Sequence, residues 1–361
     1  MPVVRRCPKR KAEAVPEEKP QLTILDTLPK AELHLHLEGS IRPETAVELA
    51  ARHSDSITIE DVEARYKYPD FLGFIDAFKW VTSYLRDPED YALITRRLLR
   101  ELTRQNVVYA EITISAGVML KRMQNVAASF TAIVEAAESV PYQKLRTAWI
   151  FDAARQFGPE AALEAARCAV ELRQSGVIAF GMGGDELAFP TASFRPAFDL
   201  ARSAGLRVVC HAGETGGPEL VREAVEILGA ERIGHGIAIM HDPALAESLA
   251  LRHVVLENCP TSNLATGALA KQRGKSKASL WDHPLKQLLE AGSCVTLSTD
   301  DPAMFHTDLL TEYSRAASLG LNNEQLLRLA EESFHAAFLA PIEKRQLLTE
   351  FRGAAKSAGL L

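Results

Sequence analysis

The chain has 361 residues, 47% hydrophobic and 24% charged, with 21 glycines, 18 prolines and five cysteines, enough apolar material for a large core and far from disordered, collagen-like or disulfide-scaffold compositions. No run reaches the roughly 18 uncharged apolar residues of a bilayer span, and the N-terminus lacks the apolar stretch of a secretory signal, so a soluble cytoplasmic protein without a membrane partner is expected. The net charge of −6 hides a basic start in which Arg5, Arg6, Lys9, Arg10, Lys11 and Lys19 outnumber Glu13, Glu17 and Glu18; the acidic remainder argues against a nucleic-acid partner.

Residues 1–27 are basic, proline-containing and poor in apolar side chains, as expected of an unpacked tail. From residue 28 to 361 a single domain is expected. Eight short, mostly apolar runs follow in order: 31–37 (AELHLHL), 107–113 (VVYAEIT), 145–151 (LRTAWIF), 177–181 (VIAFG), 207–211 (RVVCH), 232–235 (RIGH), 253–258 (HVVLEN) and 294–298 (CVTLS). Most are separated by segments of helical spacing, such as 160–172 and 218–228. Apolar strands alternating with amphipathic helices imply a parallel sheet covered by helices, and eight such units suggest an α/β fold closed as a (β/α)8 TIM barrel. The segment 41–91 exceeds one crossover and predicts extra helices over the barrel mouth, carrying the aromatic stretch 69–80 (PDFLGFIDAFKW). Phe71, Phe74, Phe78 and Trp80 read slightly better as packing of those helices than as the wall of a pocket for a planar ring. Lys271, Arg273, Lys275 and Lys277 read as an exposed basic loop after the seventh strand. Cys7, Cys168, Cys210, Cys259 and Cys294 form no CxxC pair, which fits reduced thiols rather than a disulfide framework.

In a barrel, chemistry belongs at the C-terminal strand ends, where several strands present side chains to one point. His34 and His36 lie in the first run, His211 ends the fifth with Glu214 three residues on, His235 ends the sixth, and Asp300 and Asp301 follow the eighth. Residues i and i+2 of a strand share a face about 6.5 Å apart, so His34 and His36 both look inward. Two inward imidazoles with nothing to bind are costly; three with a carboxylate suit Zn2+ with one position left for water, whose pKa such an ion lowers toward about 7. Glu214, near the metal, could move a proton. His53, His241, His253, His283, His306 and His335 have no partner at ligand spacing and read as surface residues. Tyr109 and Glu111 read as structural.

The motifs resemble the adenosine deaminase family of the amidohydrolase superfamily: LPKAELHLHLEGSIRPET (28–45), GGDE (183–186), HAGE (211–214), ERIGHGI (231–237), NCPTSN (258–263) and STDDP (298–302) stand in that family's order. The resemblance covers roughly residues 28 to 350. It implies one zinc ion per chain held by His34, His36, His211 and Asp300. It implies that Glu214 protonates the ring nitrogen beside the attacked carbon and that His235 orients the nucleophilic water. Asp301 would contact the imidazole side of the purine and the Gly184 amide the pyrimidine side. The implied reaction is hydrolytic loss of ammonia from C6 of a small-molecule 6-aminopurine, and the H-x-E and P-C-x-x-C signature of cytidine-type deaminases is absent.

The sugar end divides the family. Glu38 stands where adenosine deaminases usually carry an aspartate that contacts ribose, and resembles adenine deaminases; PTSN at 260–263 resembles the adenosine form. The resemblance ranks adenosine (with 2′-deoxyadenosine) first, 6-aminodeoxyfutalosine, whose ribose 5′ position carries a benzoate, second, and adenine third, with the 271–277 loop as a site for that carboxylate if it covers the mouth. Two other readings are a two-metal hydrolase, for which no lysine in the fourth or fifth run is available to bridge the ions, and a non-catalytic purine-binding protein, which would require a broken site where every position is filled. The oligomeric state has no signature in the sequence.

Overall fold

A computed structural model describes residues 25–139 and 144–360. Eight strands, β1 (Lys30–His36), β2 (Val107–Ile114), β3 (Arg146–Ala154), β4 (Val177–Gly183), β5 (Arg207–Ala212), β6 (Arg232–His235), β7 (Val255–Asn258) and β8 (Cys294–Leu297), pair in sequence order, each parallel to the next. β8 returns to β1 just beyond its last residue. His36 N–H donates to Asp300 O at 2.8 Å and Asp300 N–H to His34 O at 3.0 Å, with Leu35 bridged to Asp300. The fold is the expected (β/α)8 barrel, and each predicted run overlaps its strand. The closing bonds fall on two histidines and the aspartate read as ligands, so completing the barrel and assembling the site are one event.

Four helices lie between β1 and β2: α1 (Pro43–Arg52), α2 (Ile59–Arg65), α3 (Phe71–Thr82) and α4 (Pro88–Arg104). Their starts follow local chemistry. Pro43 and Pro88 occupy first turns, where no backbone donor is lost; Thr58 and Asp61 form a capping box, and Asp70 Oδ1 accepts from Gly73 N–H at 2.9 Å. Phe74 packs against Phe305, ring centroids 5.0 Å apart, which ties α3 to the loop after β8 across the barrel mouth. A short helix after β2, α5 (Ala116–Lys121), completes that side.

The opposite end of the barrel is closed by charge. Arg232 of β6 is buried with its Nε 2.6 Å from Glu257 Oε1 of β7 and its Nη2 on Glu111 Oε2 of β2. Arg232 Nη1 donates to Ala336 O at 3.0 Å, and the Phe338 ring lies 3.8 Å from the guanidinium carbon. Tyr109 donates to Glu111 at 2.9 Å, the structural role read for that pair. One buried cation shared by two carboxylates satisfies three strands that would otherwise carry uncompensated charge.

Most of the basic tail, residues 1–24, lies outside the described residues. Leu25 and Leu28 are buried, and Lys30 Nζ donates to both of their carbonyls, at 2.8 and 2.7 Å. Cys168, Cys210, Cys259 and Cys294 are free thiols; Cys7 is outside the described residues. No described helix is long and apolar enough to cross a membrane.

Candidate active site

The C-terminal strand ends deliver the expected side chains to one point. His36 Nε2 lies 3.3 Å from both His211 Nε2 and Asp300 Oδ1, and His34 Nε2 lies 3.3 Å from the same Asp300 oxygen. Donor atoms of His34, His211, His235 and Asp300 all fall within 4.8 Å of one another. Two residues here leave the usual backbone regions: His235 and Asp300 have φ of 63° and 67°. Such strain in non-glycine residues persists only where the surroundings impose it.

Outer partners decide what each ring offers. His34 Nδ1 faces Glu257 Oε2 at 2.9 Å and His211 Nδ1 faces Met182 O at 3.2 Å, so each donates outward and turns an Nε2 lone pair inward. His34 Nε2 is buried against Asp300 Oδ1. Burial opposes charge on His34, but Asp300 and Glu257 on its two nitrogens push it up to about 10, so its Nε2 holds a proton unless a metal ion takes that place and frees the lone pair; burial pushes His36 down to about 4. Burial also works against ionisation of Asp300, yet its bond to His34 and the surrounding imidazoles hold it well below the usual carboxylate range. Ser262 Oγ donates to Asp300 Oδ2 at 2.7 Å. Inward lone pairs around an ionised carboxylate, at a point that favours positive charge, fit a divalent metal ion.

His235 presents the opposite face, and a backbone amide fixes it. Leu285 N–H donates to His283 Nδ1 at 3.1 Å, so the His283 proton sits on Nε2 and is given to Asn263 Oδ1 at 3.1 Å. The Asn263 amide nitrogen then donates to His235 Nδ1 at 3.1 Å, leaving the His235 proton on Nε2. That N–H points inward, 3.7 Å from Glu214 Oε2 and 3.8 Å from Asp300 Oδ2. Burial pushes His235 and His283 each down to about 3, so both stay neutral. His235 is therefore built to donate a hydrogen bond, not to offer a lone pair.

Glu214 is held by a neighbour that sequence reasoning passed over. The Glu186 carboxylate accepts the N–H groups of Gly213, Glu214, Thr215 and Gly216 at 2.8, 2.9, 3.0 and 3.3 Å, and Gln272 donates to the carbonyls of Glu214 and Gly216 at 3.0 and 2.6 Å. The HAGE loop is thus clamped from both sides. Burial, with Asp300 and Glu186 nearby, raises the Glu214 carboxyl well above its ordinary value, which favours the protonated acid. Burial and Asp300 do the same to Asp301. Asp301 lies against Gly39, where any Cβ would fall 1.8 Å from Asp301 Oδ1, so Gly39 in HLEG is a packing requirement of the site.

These residues floor a cavity of about 290 Å³ lined by His36, His211, Glu214, His235, Asp300 and Asp301, with Gly183 and Gly184 on one side. Phe71, Phe74 and Phe78 of α3 wall it, correcting the slight preference for plain packing; Trp80 instead packs edge-on against Tyr84. Glu38 Oε1 accepts from Ser115 N–H at 2.9 Å, and its Oε2 is buried without a partner. Two readings of the surroundings fail. His283 is a buried link of the His235 chain, and His53 lies 2.6 Å from the buried Asp90, so neither is a surface residue. The 271–277 stretch does not line the cavity: Gln272 holds the HAGE loop, Arg273 donates to Asp282 O at 2.7 Å, and Lys275 pairs with Asp282.

Residues 29–353 match the family model described as adenosine deaminase. The chain belongs to the adenosine deaminase family. Among curated members of the family, the aminodeoxyfutalosine deaminase of Streptomyces avermitilis is 43% identical over 332 residues, 90% of each chain. The adenine deaminase of Agrobacterium fabrum is 34% identical over 328 residues, 90% of this chain and 98% of that one. Among solved structures, the adenine deaminase from Arthrobacter aurescens superposes with a TM-score of 0.84 at 28% identity, covering 91% of this chain and all of the other. This family member is a hydrolytic deaminase of adenine-like substrates. Purified protein is expected to bind a divalent metal ion, and His211→Ala to lose it with its far-ultraviolet circular dichroism unchanged; elemental analysis finding undiminished metal in the variant would contradict the ligand set.

Proposed function

We propose that the protein deaminates the 6-aminopurine nucleoside 6-aminodeoxyfutalosine, using one zinc ion per chain held by His34, His36, His211 and Asp300. The single observation that carries the substrate is the cation set at the cavity rim. Lys79, Lys121 and Arg122 line the wall beside the three phenylalanines and Phe157; Lys79 also pairs with Asp76 at 3.3 Å and Arg122 donates to Lys79 O and Thr82, while Lys121 Nζ lies 5.7 Å from the Phe157 ring. An aromatic carboxylate on the ribose would meet aromatic surface for its ring and cations for its charge. The 43% identical relative named an aminodeoxyfutalosine deaminase supports the same reading over adenosine, ranked first from sequence. Adenine is the second reading, favoured by the relatives named adenine deaminases.

The residues divide the chemistry. A zinc ion bound to these ligands makes water nucleophilic at neutral pH. The His235 Nε2–H holds the attacking water, its direction set by Asn263 and His283. Glu214 gives its proton to N1 as the oxygen adds to C6; of the two protons the water gives up, one passes to the amino group, which leaves as ammonia, and the other returns to Glu214, while the oxygen remains as the 6-oxo group. Gly184 N–H contacts the pyrimidine side, Asp301 the imidazole side, and Glu38 the sugar. Residues 28–361 act as one catalytic domain.

Two measurements test this. In an ultraviolet assay of 6-aminodeoxyfutalosine, adenosine and adenine, kcat/KM for the first is expected to exceed both others by about a hundredfold, the scale on which a site with buried polar partners rejects analogues that leave them unpaired; adenine as best substrate would overturn the assignment. Glu214→Gln is expected to lower kcat by about 10²–10⁴ with zinc retained, and near-normal turnover in that variant would remove Glu214 from the mechanism.

A further inference from the structure

Around the purine perimeter the order of atoms is N1, C2, N3, C4, N9, C8, N7, C5 and C6. Around the barrel mouth, Glu214 follows β5, Gly184 follows β4 and Asp301 follows β8. With N1 at Glu214, N3 at Gly184 and N7 at Asp301, ring order and strand order run together. C6 faces β6, β7 and the histidine cluster, and N9 with its substituent faces the remaining sector, β3 to β1. This placement of N9 in that sector rests on the base orientation proposed above.

Asp152 stands in it, near the end of β3. It is 8% exposed, lines the cavity, and its Oδ1 has no hydrogen-bond partner. β4 makes room for it: a Cβ at Gly181 would lie 3.0 Å from Asp152 Oδ1, and one at Gly183 would lie 3.1 Å from Oδ2 and 3.2 Å from His211 Cε1. Both glycines of VIAFGMG are therefore spaces beside one carboxyl. Glu38, after β1, brings a second buried carboxyl with a free oxygen to the same sector and interacts electrostatically with Asp152. An unmatched buried carboxyl oxygen is costly, and a ligand hydroxyl meeting Asp152 in the cavity would satisfy it, with Glu38 behind the same wall.

We infer that Asp152 is a specificity-determining residue that accepts a hydrogen bond from a sugar hydroxyl of the N9 substituent, completing with Glu38 a subsite that selects nucleosides over free bases. The residue takes no part in the water attack or the proton transfer to N1. Its loss changes which purine is accepted and leaves chemistry on the bare base intact.

The test compares wild type and Asp152→Asn on adenosine, 2′-deoxyadenosine, 3′-deoxyadenosine and adenine, with zinc content measured on each preparation. The variant is expected to lose about 10–100-fold in kcat/KM on adenosine and less than about threefold on adenine. One of the deoxynucleosides is expected to be penalised by wild type and not by the variant, the signature of a hydroxyl and a carboxylate that interact. Asp152→Ser serves the same comparison should the first variant not fold. Equal losses on adenosine and adenine, loss of zinc, or an unchanged adenosine rate would overturn the assignment. A wild type that deaminates none of the four and not 6-aminodeoxyfutalosine refutes the functional reading itself, and the subsite with it; activity confined to adenine in wild type refutes the subsite and leaves the base chemistry standing.

Discussion

The structure depends on gathering three imidazoles around one ionised carboxylate inside a closed barrel, with His34 and His36 each 3.3 Å from Asp300 Oδ1 and His36 3.3 Å from His211. Left without a positive centre, that arrangement is unfavourable, because the lone pairs repel and the buried charge lacks solvent. The surrounding residues accept the cost by fixing which atoms face inward. Glu257 and the Met182 carbonyl take the outward N–H groups of His34 and His211, and Ser262 holds Asp300. Below them Arg232 balances Glu257 and Glu111, so the charge arrangement runs from the base of the barrel to the mouth. The ladder closes through His34, His36 and Asp300, and for that reason stability and metal geometry are joined in the same bonds.

A second consequence is directional. His235 belongs to the same histidine cluster, but its proton is dictated from outside, beginning at the Leu285 amide and passing through His283 and Asn263. A lone pair and an N–H set side by side can hold an ion and orient a water. Glu214 completes the set because Glu186 ties its loop by four backbone amides, which keeps an acid where desolvation holds its proton. In the proposed binding mode the strand order around the mouth matches the ring order of the purine, which leaves the sector from β1 to β3 to the N9 substituent.

Much of this was legible in the sequence because barrel strands are short apolar runs and their C-terminal ends carry the polar exceptions. His34-Leu35-His36, His211, His235 and Asp300 announce themselves by alternation and position. Other residues could not be read that way. Glu257 looked like the polar residue of an ordinary run, since only β7 pairing with β6 and the proximity of β1 turn it toward His34 and Arg232. Asp152 sat one residue past the end of the predicted third run; the strand in fact continues to Ala154 and brings the carboxyl to the cavity. His283 and Glu186 act through contacts 20 to 30 residues away in the chain, which no local pattern encodes. The phenylalanines of α3 carried a correct helical spacing, but which neighbours that face meets depends on how α3 docks on the loop after β8. The basic residues at 271–277 drew attention by density of charge, while Lys79, Lys121 and Arg122, scattered over two elements, are the ones that reach the cavity.

The most direct test of the account is a zinc-loaded crystal structure with unsubstituted purine ribonucleoside bound, using anomalous scattering to locate the metal. One ion is expected among His34, His36, His211 and Asp300, with C6 facing that ion, N3 toward the Gly184 amide, and the ribose between Glu38 and Asp152. An ion held elsewhere, or a ribose leaving the barrel on the β5–β7 side, would contradict it.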